Sequence, residues 1–232
     1  MRHFHEQLQD VLKQITIMGS LTESMIGLAM RVLVERDESL TEQIMAKEEE
    51  VNALQVQIDE TAVALIATQQ PVGKDVRLLF MASKIVTDLE RIADQAKNIS
   101  QNAHYVLAQP PLKPMVDLPI MAEIAQRMVR DALTAVIERD VPLAERVIRE
   151  ESKVDAFRDQ VFRTLLTYMM ADPGTIQRAL SLILISRNIE RVGDHAANIA
   201  EEAIYIVQGR DIRHANANTT NRGPLDLDKG AA

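Results

Sequence analysis

Two five-residue segments carry the chemistry this chain offers: Glu90-Arg91-Ile92-Ala93-Asp94 and Glu190-Arg191-Val192-Gly193-Asp194. Each places two acids four residues apart, and on a helix that spacing stacks the carboxylates one turn above each other. Like charges so placed weaken a helix by about 0.2–0.5 kcal/mol. Their recurrence therefore asks for a reason outside helix stability. Stacked carboxylates supply hard oxygen donors, which suit Mg, Mn, Fe and similar ions. A second segment in each half adds to the set: Glu48 in the first, and Glu151 with Asp155 in the second. Asn52 stands where the second half has Asp155, so the first copy is one acid short. The competing reading is a solvated acidic face in which Glu90 and Arg91 pair with their neighbours.

Other chemistries have little support. His195 replaces Gln95 beside the motif and reads as a solvated or paired histidine before a ligand, while His3, His5, His104 and His214 form no ligand spacing. No Glu-x-x-His occurs, which argues against a ferritin-like di-iron oxidase. The eight glycines are scattered and make no phosphate-cradling loop. Cysteine is absent, which excludes disulfides, thiolate zinc sites and cysteine nucleophiles. A net charge of −8 disfavours nucleic acid as a partner, because phosphate binders show it a basic face.

The elements that position these acids are helices. Aromatics are only 3% and Trp is absent, so Leu, Ile, Val, Ala and 11 Met must fill the core. Such side chains suit helices packed side by side. Pro71, Pro142 and Pro173 each stand between long periodic segments, and Pro110, Pro111, Pro114 and Pro119 crowd one linker. The prolines and periodicity predict helices over 3–36, 39–69, 74–108, 118–139, 142–170 and 174–208. Asp140 and Asp172, each just ahead of a proline, read as N-caps. The N-terminus has no apolar signal core, and no stretch approaches the roughly 18 apolar residues of a membrane span. A soluble cytoplasmic protein is expected.

In the third helix Leu78, Ala82, Ile85, Leu89, Ile92, Ala96, Ile99 and Ala103 follow unbroken steps of four and three. Shifted by 100 residues, the seam returns as Leu182, Ile185, Ile189, Val192, Ala196, Ile199 and Ala203, with Arg178 alone departing. Earlier in the chain the offset is 103: Glu35-Arg36-Asp37 matches Glu138-Arg139-Asp140, and Val51-Asn52-Ala53-Leu54 matches Val154-Asp155-Ala156-Phe157. The chain therefore reads as all-α, two tandem three-helix bundles related by duplication: 1–109, 118–209 and a flexible tail at 210–232. Helices of this length predict an elongated molecule, about 45 Å along a 30-residue helix. Projected on a wheel, Glu90, Asp94, Arg91 and Asn98 lie off the seam. The polar matches persist where their neighbours have drifted, as in Thr87 against Arg187, Lys97 against Ala197 and Gln101 against Glu201. Gly193, against Ala93, suggests close helix approach.

The duplicated Glu-Arg-(Ile/Val)-(Ala/Gly)-Asp segments resemble the paired E/D-x-x-x-D signature of the PhoU family. Gln70-Pro71…Asp75-Val76-Arg77-Leu78 and Thr167-Tyr168-Met169-Met170, which precede the two copies, are similar to that family as well. The resemblance runs from about residue 3 to 214. It implies paired three-helix bundles, often dimeric, in the bacterial cytoplasm. It also implies an accessory regulator linking a phosphate ABC transporter to a membrane sensor histidine kinase, keeping phosphate-starvation genes off when phosphate is plentiful. Some relatives hold multinuclear iron or zinc clusters on the paired motifs. Carried over, Glu90, Asp94, Glu190 and Asp194 become metal candidates, with Glu151 and Asp155 secondary. The leading expectation is a non-enzymatic, homodimeric docking protein whose partners are the transporter ATPase and the kinase. The rivals are a carboxylate metal-storage or redox bundle and a purely structural helical adaptor.

Overall fold

Prolines and caps set where the helices stop. The computed structural model describes residues 2–112 and 116–212. Pro114 and the tail from 213 onward lie outside the described residues. Six helices follow in order: α1 Arg2–Glu35, α2 Leu40–Gln69, α3 Lys74–Leu107, α4 Asp117–Glu138, α5 Val141–Ala171 and α6 Ile176–Gln208. No strand occurs among the described residues. The Asp140 carboxylate accepts the Leu143 N–H at 2.9 Å, with Pro142 in the first turn of α5. Asp172 accepts the Gly174 N–H at 2.8 Å, which tightens Pro173–Thr175 into a 3-10 turn, so the last helix begins two residues later than expected. Pro119 belongs to the first turn of α4 and not to the linker, because a first-turn residue has no intrahelical N–H bond to lose.

The repeated Glu-Arg-Asp marks helix ends. Arg36 and Arg139 take left-handed φ values of 60° and 58° immediately after α1 and α4. The Arg36 guanidinium also donates to the carbonyls of Leu107 at 2.6 Å and Gln109 at 3.0 Å, tying the end of α1 to the end of α3.

Each repeat is the expected three-helix bundle, α1–α3 and α4–α6, with its three helices in mutual contact, and the two bundles pack side by side. Helices α1, α3, α6 and α4 form a closed ring in which each touches the next, and α3 against α6 is the most extensive contact of all. Helix α2 lies outside on α1 and α3, and α5 outside on α4 and α6. The two repeats thus share one continuous core. Helices α3 and α6 run antiparallel, since Lys84 meets Glu202 near one end while Arg178 donates to the Pro110 carbonyl at 2.7 Å near the other. That bond explains why Arg178 breaks the repeated seam: it reaches the linker. All other seam residues in both copies are buried.

The α1 segment bears on the expectation about membrane spans. Phe4–Glu35 contains a window apolar enough to cross a membrane by length and composition, and 56% of it is buried in this fold. Its apolar character has a packing cause, because α1 covers α2, α3 and α4 at once and needs more than one apolar face. Close helix approach is also found elsewhere than expected. A Cβ on Gly193 would sit 3.5 Å from Val154, an ordinary contact, whereas one on Gly19 of α1 would overlap the Leu133 side chain of α4. Gly193→Ala is therefore expected to stabilise the chain by up to about 1 kcal/mol through helix propensity alone. Thermal unfolding of the variant against the parent checks this.

Candidate functional site

Helices α3 and α6 each have three covered faces, leaving one narrow stripe apiece between the outer helices α2 and α5. The repeated acids fall on or beside that stripe. Glu90, Asp94, Glu190 and Asp194 are all half-buried, so the expected outward placement is correct in direction, though the outer helices partly cover them. The cause is register: α2 brings Glu48 against α3, and α5 brings Glu151, Asp155 and Arg158 against α6.

Two clusters result. The first holds Glu48, Glu90 and Asp94. Burial, then the Asp94 carboxylate, push the Glu90 carboxyl above its ordinary value, and Glu48 adds to the effect. The second holds Glu151, Asp155, Glu190 and Asp194, joined by Glu201. Burial raises the Glu151 carboxyl first, followed by Asp194, Asp155, Glu201 and Glu190. Asp194 is raised by burial, then by Glu190 and Asp155. The second half therefore concentrates more negative charge than the first, as the Asn52 departure foretells.

The two clusters adjoin across the α3–α6 seam. His195 Nδ1 lies 2.8 Å from Asp88 Oδ1, and the Asn198 side-chain amide donates to the same oxygen at 3.3 Å. His195 is thus a paired histidine joining the repeats. The sequence carries a signal for this pair: Asp88 has Asn188 at its repeat position and His195 has Gln95, so the acid and the base each occur in one repeat only. Gln95 is buried, and its side-chain oxygen lacks a hydrogen-bond partner.

The donor chemistry suits a hard metal ion, but the arrangement does not. Among the described residues, no group of three or more His, Asp or Glu side chains is placed to hold a metal. A basic side chain enters each cluster instead. Lys97 Nζ donates to Glu48 Oε1 at 2.6 Å. The Arg158 guanidinium pairs with Glu190, with Asp159 at 3.0 Å and with Asp155 at 3.7 Å. Neither cation stands out in the repeat pattern, because Lys97 has Ala197 and Arg158 has uncharged Gln55 at the repeat position. A surface pocket of about 460 Å³ lies apart from the acids, between the start of α2 and the end of α3, lined by Glu38, Thr41, Asn102 and Tyr105 among others.

A pH effect follows from the raised carboxyls. Their protonated forms are favoured in the folded chain, so their contribution to stability is complete below the ordinary carboxylate range. It is lost as pH rises through the raised values. Glu151→Gln is expected to raise the melting temperature at neutral pH and to flatten the fall in stability between weakly acidic and neutral pH, as read by thermal melts across that range.

The PhoU domain model matches this chain twice, at residues 15–103 and 118–203, once in each repeat. The chain is 37% identical over 214 residues to the phosphate-specific transport system accessory protein PhoU homolog of Pseudomonas putida, covering 92% of this chain and 84% of that one. It is 33% identical over 219 residues to the phosphate-specific transport system accessory protein PhoU of Escherichia coli, covering 94% and 91%. The crystal structure of PhoU from Pseudomonas aeruginosa superposes with a TM-score of 0.86 at 36% identity, covering 89% of this chain and all of that one. With both repeats matched, the shared fold and this identity over nearly the whole length, the chain belongs to the PhoU family.

Proposed function

We propose that this chain is a non-enzymatic accessory regulator of phosphate-specific transport, acting by docking. The observation that carries the reading is the end-to-end match to proteins named as accessory to that transport system. In the finer reading, a homodimer at the cytoplasmic face of the membrane contacts the ATPase of a phosphate ABC transporter and a sensor histidine kinase. It holds starvation signalling off when phosphate is plentiful.

The geometry supports docking over turnover in one specific way. Near the α5–α6 turn, Phe162, Leu166 and Met170 on α5 and Ile176, Leu180 and Leu184 on α6 are exposed at steps of four. The two helices are antiparallel neighbours, so the stripes lie side by side at that end. The first repeat has charged residues at two of the matching positions, Asp59 for Phe162 and Lys84 for Leu184. Apolar side chains left on a helix pair in this way suit a protein partner. The acids and Arg187 and Arg191 continue the same stripe toward the middle of α6, giving the apolar end a charged border. Affinity capture of the tagged full chain from phosphate-replete cells is expected to recover the transporter ATPase and the kinase. Deletion of the gene is expected to switch on phosphate-uptake genes at high phosphate. Recovery of neither partner, with unchanged expression on deletion, would sink the proposal.

A further inference from the structure

We infer that the two acidic clusters of this chain are partly closed from within: the Lys97 ammonium and the Arg158 guanidinium take up carboxylate oxygens of Glu48, Glu190 and Asp155 that a metal ion would otherwise use. The inference is independent of the docking reading. It starts from an electrostatic requirement, since several half-buried carboxylates in one place need a counter-charge. Duplication supplies one cation at the same position in both halves, Arg91 and Arg191, and both are exposed. The cation that contacts Glu48, or Glu190 and Asp155, does not repeat. In the first repeat the cation comes from the third helix as Lys97, and its repeat position holds Ala197. In the second it comes from the second helix as Arg158, and its repeat position holds Gln55. Two unrelated positions thus each supply a cation in direct contact with the acids of one cluster.

The contacts place each cation among the would-be ligands. Lys97 Nζ is 2.6 Å from Glu48 Oε1, and the lysine is held charged by that hydrogen bond, with Asp94 adding to the effect. Arg158 pairs with Glu190 while lying 3.7 Å from Asp155, so it bridges two secondary structure elements that a metal would also have to bridge. A planar guanidinium satisfies several carboxylate oxygens at once, which one compact cation does by coordination and an arginine does by its fork of N–H donors. A divalent ion that draws on Glu48, or on Glu190 with Asp155, must first displace these side chains, and it gains only the difference between the two forms of counter-charge. The remaining acids make the second cluster the more demanding of the two, so removing Arg158 exposes the larger vacancy of charge.

The test uses the full chain, stripped of metal with a chelator and titrated with MnCl2 and, separately, ZnCl2. Calorimetry gives affinity, elemental analysis gives stoichiometry, and thermal melts give stabilisation. The parent chain is expected to bind Mn2+ no tighter than about millimolar, with no change in melting temperature. Arg158→Gln and Lys97→Ala, which install the residue found at the repeat position, are each expected to gain at least about tenfold in affinity, and their melting temperatures should rise with added metal. Arg158→Lys, which keeps a cation, is expected to remain like the parent. If Arg158→Gln fails to fold without metal, refolding on addition of Mn2+ supports the inference, and failure to refold counts against it. Tight metal binding by the parent equal to that of the variants would overturn the inference, as would variants that gain nothing.

Discussion

Leu89→Ala is expected to lower the free energy of unfolding by about 2–5 kcal/mol, enough to remove a large part of a typical domain's stability. Leu89 has no exposed surface and lies mid-way along the seam of α3, a helix against which α1, α2 and α6 all pack. Truncation there removes apolar contact and leaves a space that a packed ring of helices cannot easily close. Val63→Ala on α2 is the matched control, because Val63 is 67% exposed. Its effect is expected to stay within about 0.5 kcal/mol. Chemical denaturation of both variants checks the pair, and equal midpoints would show that the seam is not the core. Ile189→Ala, at the repeat position in α6, is expected to behave like Leu89→Ala.

The second large effect falls on association and leaves folding alone. Phe162→Glu combined with Leu180→Glu places two carboxylates on the exposed apolar stripes of α5 and α6. Charges on a surface that must be desolvated on docking are expected to cost at least about 2 kcal/mol, or roughly thirtyfold in affinity. The folded chain should be little affected, because both side chains are exposed already. The measurement is recovery of the transporter ATPase with the tagged double variant, alongside circular dichroism and a melt. Loss of recovery with an unchanged melt supports docking through this end. Unchanged recovery would move the docking surface elsewhere on the molecule.

The helices and their duplication could be read from the chain because both are local facts. Apolar residues at steps of three and four mark a face wherever they occur, and proline ends a helix by missing an N–H whatever the surroundings. Asp140 and Asp172 announced their turns for the same reason: the capped groups lie within three residues. The repeated acids at Glu90, Asp94, Glu190 and Asp194 were legible as a pattern, and Glu151 and Asp155 as additions to it.

What surrounds those acids was decided by tertiary structure. No periodicity says that α3 packs on α6 more extensively than on its own repeat partners, because any apolar seam fits several neighbours. That contact alone brings Asp88 to His195, residues separated by 107 positions. The register of α2 on α3 puts Lys97 on Glu48, and the register of α5 on α6 puts Arg158 on Glu190. Both depend on side-chain reach across helices, which a one-dimensional pattern does not encode. The sequence determined by itself a duplicated all-helical chain carrying paired acids. The packing decided which charges those acids meet, because electrostatic partners are chosen by distance in space and not by distance along the chain.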